Sequence, residues 1–155
     1  MSWLKNLDSS VLEYVNNLKK EDSDFSFFPV QKLLTKNGEK LNLGFSCYSL
    51  KIFKLIDYID KLSESEIDNW AEYINSFQTK EDLEQENTFI DKGYLSSFRS
   101  DNLLTGLLYP VKYISNLTIG TNYKSNNLKL ENYIRAETKQ SISTLYEIDK
   151  PNKIT

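Results

Sequence analysis

Residues 43–78 read LGFSCYSLKIFKLIDYIDKLSESEIDNWAEYINSFQ, and the spacing of their apolar side chains decides the fold class. Phe45, Tyr48, Ile52, Leu55, Ile59 and Leu62 follow one another at intervals of three and four, which predicts one face of an amphipathic helix. Ser63 ends that run and opens the next. Ser63-Glu64-Ser65-Glu66 has the form of a capping box, in which the serine hydroxyl and the glutamate carboxylate each accept a backbone N–H that a helix start leaves without a partner. Ile67, Trp70, Ile74 and Phe77 continue the spacing. The pattern predicts two helices folded into a hairpin by a tight turn, with their stripes buried together and with Ile52 and Trp70 in one core.

The same spacing recurs outward from this stretch. Leu4, Leu7, Val11, Tyr14 and Leu18 predict a helix over 2–20, with Lys19 and Lys20 favourably placed against the negative end of its dipole. Residues 21–30 break the period and hold Phe25, Phe27, Phe28 and Pro29, an aromatic loop expected to tuck into the core. Asn37-Gly38 marks a turn. A polar, acidic connection then runs from Thr79 to Phe89-Ile90-Asp91-Lys92-Gly93-Tyr94. Leu104, Leu107, Val111, Ile114 and Leu117 restart a helical stripe that Pro110 kinks or divides. Residues 116–127 read as a loop. A last helix is predicted over 128–148, with Ile134, Ile142, Leu145 and Ile148 inward and Pro151 ending it. No segment keeps a two-residue alternation for long. The expected architecture is all-α: a single domain over 1–150, built of antiparallel helical hairpins in α-array packing, with a C-terminal tail over 151–155.

A short pattern repeats within this scheme. Glu13-Tyr14-Val15, Asp57-Tyr58-Ile59, Glu72-Tyr73-Ile74 and Lys112-Tyr113-Ile114 are each followed three positions on by an apolar residue, Leu18, Leu62, Phe77 and Leu117. The first and third are 59 residues apart and the second and fourth 55, a period that suits a two-helix repeat.

Composition bounds the chemistry. The chain has 155 residues and a net charge of −3, with 19 basic and 22 acidic side chains interleaved along it. That balance excludes a constitutive nucleic-acid binder, which needs a concentrated basic face. Cys47 is the only cysteine, so no intramolecular disulfide forms, and it reads as a small buried hydrophobe in a reducing compartment. No apolar run is long enough to span a membrane, and Asp8 comes too early for a secretory segment, so a cytoplasmic location is the default expectation. The sequon Asn116-Leu117-Thr118 carries no weight without such a segment. Histidine is absent, which removes Ser-His-Asp and Cys-His catalysis, the usual zinc sites and the commonest general base. No phosphate loop, EF-hand, CxxC or nucleophile elbow occurs, and neither a cofactor nor a metal is expected.

The polar groups that stand out are Asp91, Lys92 and Tyr94 on a loop, and Arg135, Glu137 and Gln140 on the last helix. They are candidate binding residues. Against this, Asp91 suits a turn and Arg135 to Gln140 suit a solvated helix face. Trp3, Trp70 and most tyrosines lie on apolar stripes and read as core; a concave helical surface that stacks sugars on such rings is the carbohydrate-binding alternative.

The run from Leu43 to Gln78, with its acidic loop and Phe89-Ile90-Asp91, resembles one unit of the α/α-toroid proteins: terpenoid cyclases, protein prenyltransferases and the N-terminal toroid of heparinase-type lyases. In these a helix pair ends in a Gln and leads into a loop with an aromatic and an acid. Residues 135–145 resemble the start of a later inner helix. The resemblance implies a partial toroid, because a complete ring needs more helices than this sequence supplies. The cyclase aspartate-rich motif, the prenyltransferase zinc set and a lyase histidine are all missing, so no catalytic residue transfers. In a toroid the next helix would begin after Pro151 and cover Ile142, Leu145 and Ile148.

Two functions follow as expectations. One is a non-catalytic interaction module or incomplete toroid domain that pairs with itself or another protein through an uncovered helix face. The other is the helical part of a carbohydrate- or isoprenoid-active enzyme of the lyase or cyclase class. Asp91, Arg135 and Glu137 around one concave pocket would favour the enzyme; a flat distribution would favour the module.

Overall fold

The computed structural model describes residues 2–79, 87–93, 95 and 126–151. Among them the chain forms four α-helices and no strand: α1 (Ser2–Asn16), α2 (Leu43–Leu55), α3 (Glu64–Asn75) and α4 (Asn126–Glu147). The all-α class expected from the spacing is present. The Leu104–Leu117 stripe, Pro110, Tyr94, most of the 116–127 loop and residues 152–155 lie outside the described residues.

α2 stops at Leu55 instead of running on to Leu62. Asp57 adopts a left-handed φ of 52°, the Tyr58 N–H donates to the Phe53 carbonyl at 2.8 Å and the Asp57 N–H to that of Lys54 at 3.1 Å. These are the two bonds of a Schellman stop, and its usual apolar contact is present as Tyr58 set edge-on to Phe53 at 5.0 Å. The buried face also differs from the expected stripe. Leu43, Cys47, Leu50 and Phe53 are in the core, whereas Tyr48 is half exposed and Leu55 is 82% exposed. α2 is apolar on nearly every side, so spacing alone admits either stripe. Small side chains decide between them.

Those small residues face α4, which runs parallel to α2. Gly44 lies under the Glu137 carboxylate, Cys47 Sγ is 3.9 Å from Ser141 Oγ, and Lys51 Nζ donates to Ser143 Oγ at 2.9 Å. Lys54 Nζ donates to the Glu147 carbonyl, so a cation meets the negative end of α4. α4 closes with the same stop as α2: Asp149 has φ 55°, and the Lys150 N–H donates to the Leu145 carbonyl at 3.0 Å. Leu145 is buried and Ile148 packs on the core, but Ile142 is 44% exposed, so Ser141 and Thr144 take the inward positions expected of it.

α3 starts at the expected capping box, with the Glu66 N–H donating to Ser63 Oγ at 3.2 Å and the Ser63 N–H to the Glu66 carboxylate at 2.7 Å. It carries Trp70 into the centre of the core. The indole stacks on Phe27 at 5.7 Å, meets Phe53 edge-on at 5.5 Å, and donates through Nε1 to Ser46 Oγ at 2.8 Å. The aromatic loop thus fills the core as expected, and Ile52 packs on the same cluster from its half-buried position.

α1 ends four residues earlier than expected; Val15 near its end and Leu18 just past it are buried, with Tyr14 half exposed. Lys19 and Lys20 lie past the helix, in a short antiparallel pairing. Lys19 bridges Phe27, with the Lys20 N–H on the Ser26 carbonyl (2.8 Å) and the Phe28 N–H on that of Leu18 (2.7 Å). The end of α3 repeats this arrangement. Gln78 bridges Phe89, with the Thr79 N–H on the Thr88 carbonyl (2.9 Å) and the Ile90 N–H on that of Phe77 (3.0 Å). Leu18, Lys19 and Lys20 correspond to Phe77, Gln78 and Thr79 at the 59-residue period of the tyrosine pattern. The repeat is therefore one of hydrogen bonding as well as of residue type.

Candidate functional site

The start of α2 gathers several of the buried polar residues, Lys20, Ser26 and Asp91 among them. Asn42 precedes the helix, and its side chain makes no cap to it. The cap comes from a distant loop: Asp91 Oδ2 accepts the N–H of Asn42 at 2.6 Å and of Leu43 at 3.2 Å, while Oδ1 accepts that of Gly93 at 3.2 Å. A carboxylate is favoured there by the positive end of the helix dipole. On the other side, Lys20 Nζ donates to the carbonyls of Glu39 (2.8 Å) and Leu41 (3.0 Å) and to Asn42 Oδ1 (2.7 Å). Ser26 Oγ reaches the same Asn42 oxygen at 2.9 Å. All three ammonium protons are engaged, and burial holds the amine below the usual lysine range despite Asp22, Asp91 and Glu39 nearby.

Glu137 approaches this cluster from α4. Its Oε1 lies 3.0 Å from where a Cβ on Gly44 would stand, so a larger residue there would make the carboxylate shift. Oε2 is buried and accepts no hydrogen bond among the described residues, and Gln140 Nε2, one turn on, donates none. Burial, and then the Asp91 charge, push the Glu137 carboxyl up to about 7. Cys47, beside it on the seam, is pushed up to about 11 by burial, and this thiol is a poor nucleophile.

Of the six candidate residues, then, Asp91 and Glu137 meet around the α2 N-terminus, with Lys92 next to Asp91 along one cleft and Gln140 on the same face of α4 as Glu137. Arg135 is exposed and does not join them, and Tyr94 lies outside the described residues. Lys20, Asn42 and Ser26 were not legible as members: a lysine just past a helix stripe reads as solvent-facing, and only the reversal at Ser26–Phe27 turns it inward. No three acidic or cysteine side chains stand together as metal ligands among the described residues. Asp91 and Lys20 are thus both engaged by backbone groups, while Glu137 is not.

Among the described residues, two clefts border the cluster and a third lies apart from it. One of about 500 Å³ lies along Asn42, Gln78, Thr79, Asp91 and Lys92. Another of about 700 Å³ occupies the equivalent place at the end of α1, along Lys19, Lys20, Glu21, Asp22, Glu39 and again Asn42. The third, about 380 Å³, is an apolar groove between α1 and α2, lined by Val11, Tyr14, Phe28, Phe45, Tyr48 and Ile52 among others. No family model, curated protein or solved structure matches the chain.

Proposed function

We propose that this chain is a non-catalytic helical interaction module that takes an amphipathic helix of a partner protein in the α1–α2 groove. The observation that carries this reading is the groove itself, whose walls are apolar and whose rim is set by the half-exposed rings of Tyr14 and Tyr48. Its length along the end of α1, from Ser10 to Val15, is somewhat under two helical turns, and Leu18 just past the helix continues it. That length suits two or three apolar anchors at helical spacing. Asp91, Arg135 and Glu137 also do not surround one open pocket.

A photo-crosslinker at Tyr48, with mass-spectrometric mapping of the adduct, tests it. The captured segment, made as a peptide, should form a helix in the groove and bind at least about tenfold more weakly to Tyr48→Glu. A peptide indifferent to that substitution would overturn the reading.

The toroid-enzyme alternative draws on the 500 Å³ cleft, where Gln78 and the loop acid of the resemblance come together with Lys92. Saccharide or isoprenoid-diphosphate binding that is lost in Lys92→Ala would favour it.

A further inference from the structure

Leu33 is 98% exposed and has a left-handed φ of 61°. A leucine gains nothing from either, since the side chain is wet and its Cβ crowds the backbone. The loop around it is nevertheless braced. Thr35 Oγ1 accepts the Gly38 N–H at 3.0 Å, the Thr35 carbonyl accepts the Glu39 N–H at 3.0 Å, and Gly38 is buried against Leu34 and Pro29. So the tip is held out as a knob. Lys32 and Lys36 flank it, both exposed and in no ion pair among the described residues.

Beside the knob lies the 700 Å³ cleft. Phe28, Val30 and Leu34 give it an apolar floor, and Glu21, Asp22 and Glu39 an acidic rim. None of these acids is in an ion pair among the described residues. The cleft's own lysines offset it only in part: Lys19 is paired with Asp24 at 2.7 Å, and Lys20, though close enough to feel Asp22 and Glu39, gives its hydrogen bonds to carbonyls and Asn42, which leaves an excess of acid. A basic apolar knob and an acidic apolar cleft therefore share one face of one chain.

We propose that a second copy of this chain is the occupant: the Leu33 loop of each copy seats in the Glu21–Asp22–Glu39 cleft of the other about a two-fold axis. Knob and cleft adjoin through Val30 and Leu34, so two copies facing each other satisfy both contacts at once and the assembly closes. The charges complement within the chain, which is the reason to choose a second copy over a foreign partner. The equivalent cleft at the end of α3 is no competing seat, because its Asp91 is bonded to backbone N–H groups and Lys92 lines it. The contact is smaller than the roughly 20–30 residues a side of a standard interface, so the pair belongs in the micromolar range and weakens with salt. It shares only Phe28 with the α1–α2 groove and stands or falls separately.

Sedimentation velocity of the full chain over a concentration series tests it. The parent should pass from monomer to dimer, and Leu33→Asp and the double variant Lys32→Glu/Lys36→Glu should each weaken the pair by more than about tenfold. Both are surface changes, and an unshifted thermal midpoint checks that they fold. Glu21→Lys/Asp22→Lys should be monomeric alone, yet form a heteropair when mixed with Lys32→Glu/Lys36→Glu, because one contact of the mixed pair is then native and the other is restored with reversed sign. A parent that stays monomeric throughout, or a mixture that fails to pair, overturns the proposal.

Discussion

Asp91 Oδ2 sits 2.6 Å from the backbone nitrogen of Asn42, and through it a loop 49 residues away in sequence starts helix α2. Three backbone N–H groups converge on this one carboxylate, which is 1% exposed. Asp91→Ala leaves those donors buried without an acceptor and should cost about 2–3 kcal/mol in chemical denaturation. Asp91→Asn keeps one oxygen and should cost roughly half as much. Equal stability of parent and Asp91→Ala would mean that the cap is not formed in solution.

Glu137 gives the protein a pH dependence whose sign is fixed by its surroundings. Its carboxyl is raised from 4.5 to about 7, by burial first and the Asp91 charge second. Below about 4.5 the group is protonated folded and unfolded alike, and it carries no penalty. Between 4.5 and 7 the unfolded chain has lost a proton that the folded chain keeps, so stability falls as pH rises, by on the order of 2–3 kcal/mol, and levels off above 7. Glu137→Gln should remove most of this slope. Urea midpoints for both proteins across that range decide it, and parallel curves would show that Glu137 is solvated.

How much of this was legible in the sequence varies by element. The capping box at Ser63 and Glu66 was, because both partners lie within four residues and the pattern names them. The inward face of α2 was not, because Leu43, Cys47, Leu50 and Phe53 share the helix with Phe45, Tyr48, Ile52 and Leu55, and only the fit of Gly44 and Cys47 against α4 selects the first set. The helix stops at Asp57 and Asp149 were hidden because neither carries the glycine that usually marks them. Asp91 and Glu137 could be picked out as polar groups of interest, but their meeting at Asn42 and Gly44 is a long-range event that no local pattern encodes.

Those two stops make a third prediction. Asp57 holds a left-handed conformation that costs a residue with a Cβ about 1 kcal/mol, only partly offset by the greater freedom glycine has when unfolded. Asp57→Gly should therefore stabilise by about 0.5 kcal/mol, while Asp57→Val should destabilise by more than about 1 kcal/mol. Thermal midpoints moving in the same direction for both would count against the Schellman stop.

Trp70 supplies the last prediction, because its ring and its nitrogen do separable work. The ring is packed among Phe25, Phe27 and Phe53 and is 3% exposed, so Trp70→Ala should cost roughly 3–5 kcal/mol through the cavity it leaves. The nitrogen donates to Ser46 Oγ inside α2, where no water replaces it. Ser46→Ala thus strands a buried donor at a cost of about 1–3 kcal/mol, though it removes only one oxygen. Trp70→Phe removes the donor and part of the ring together. With Trp70 already Phe, Ser46→Ala should cost much less than it does in the parent, since the serine hydroxyl then has no indole to serve. A double-mutant cycle in urea measures that coupling, and additive costs would show that Nε1 and Ser46 do not bond.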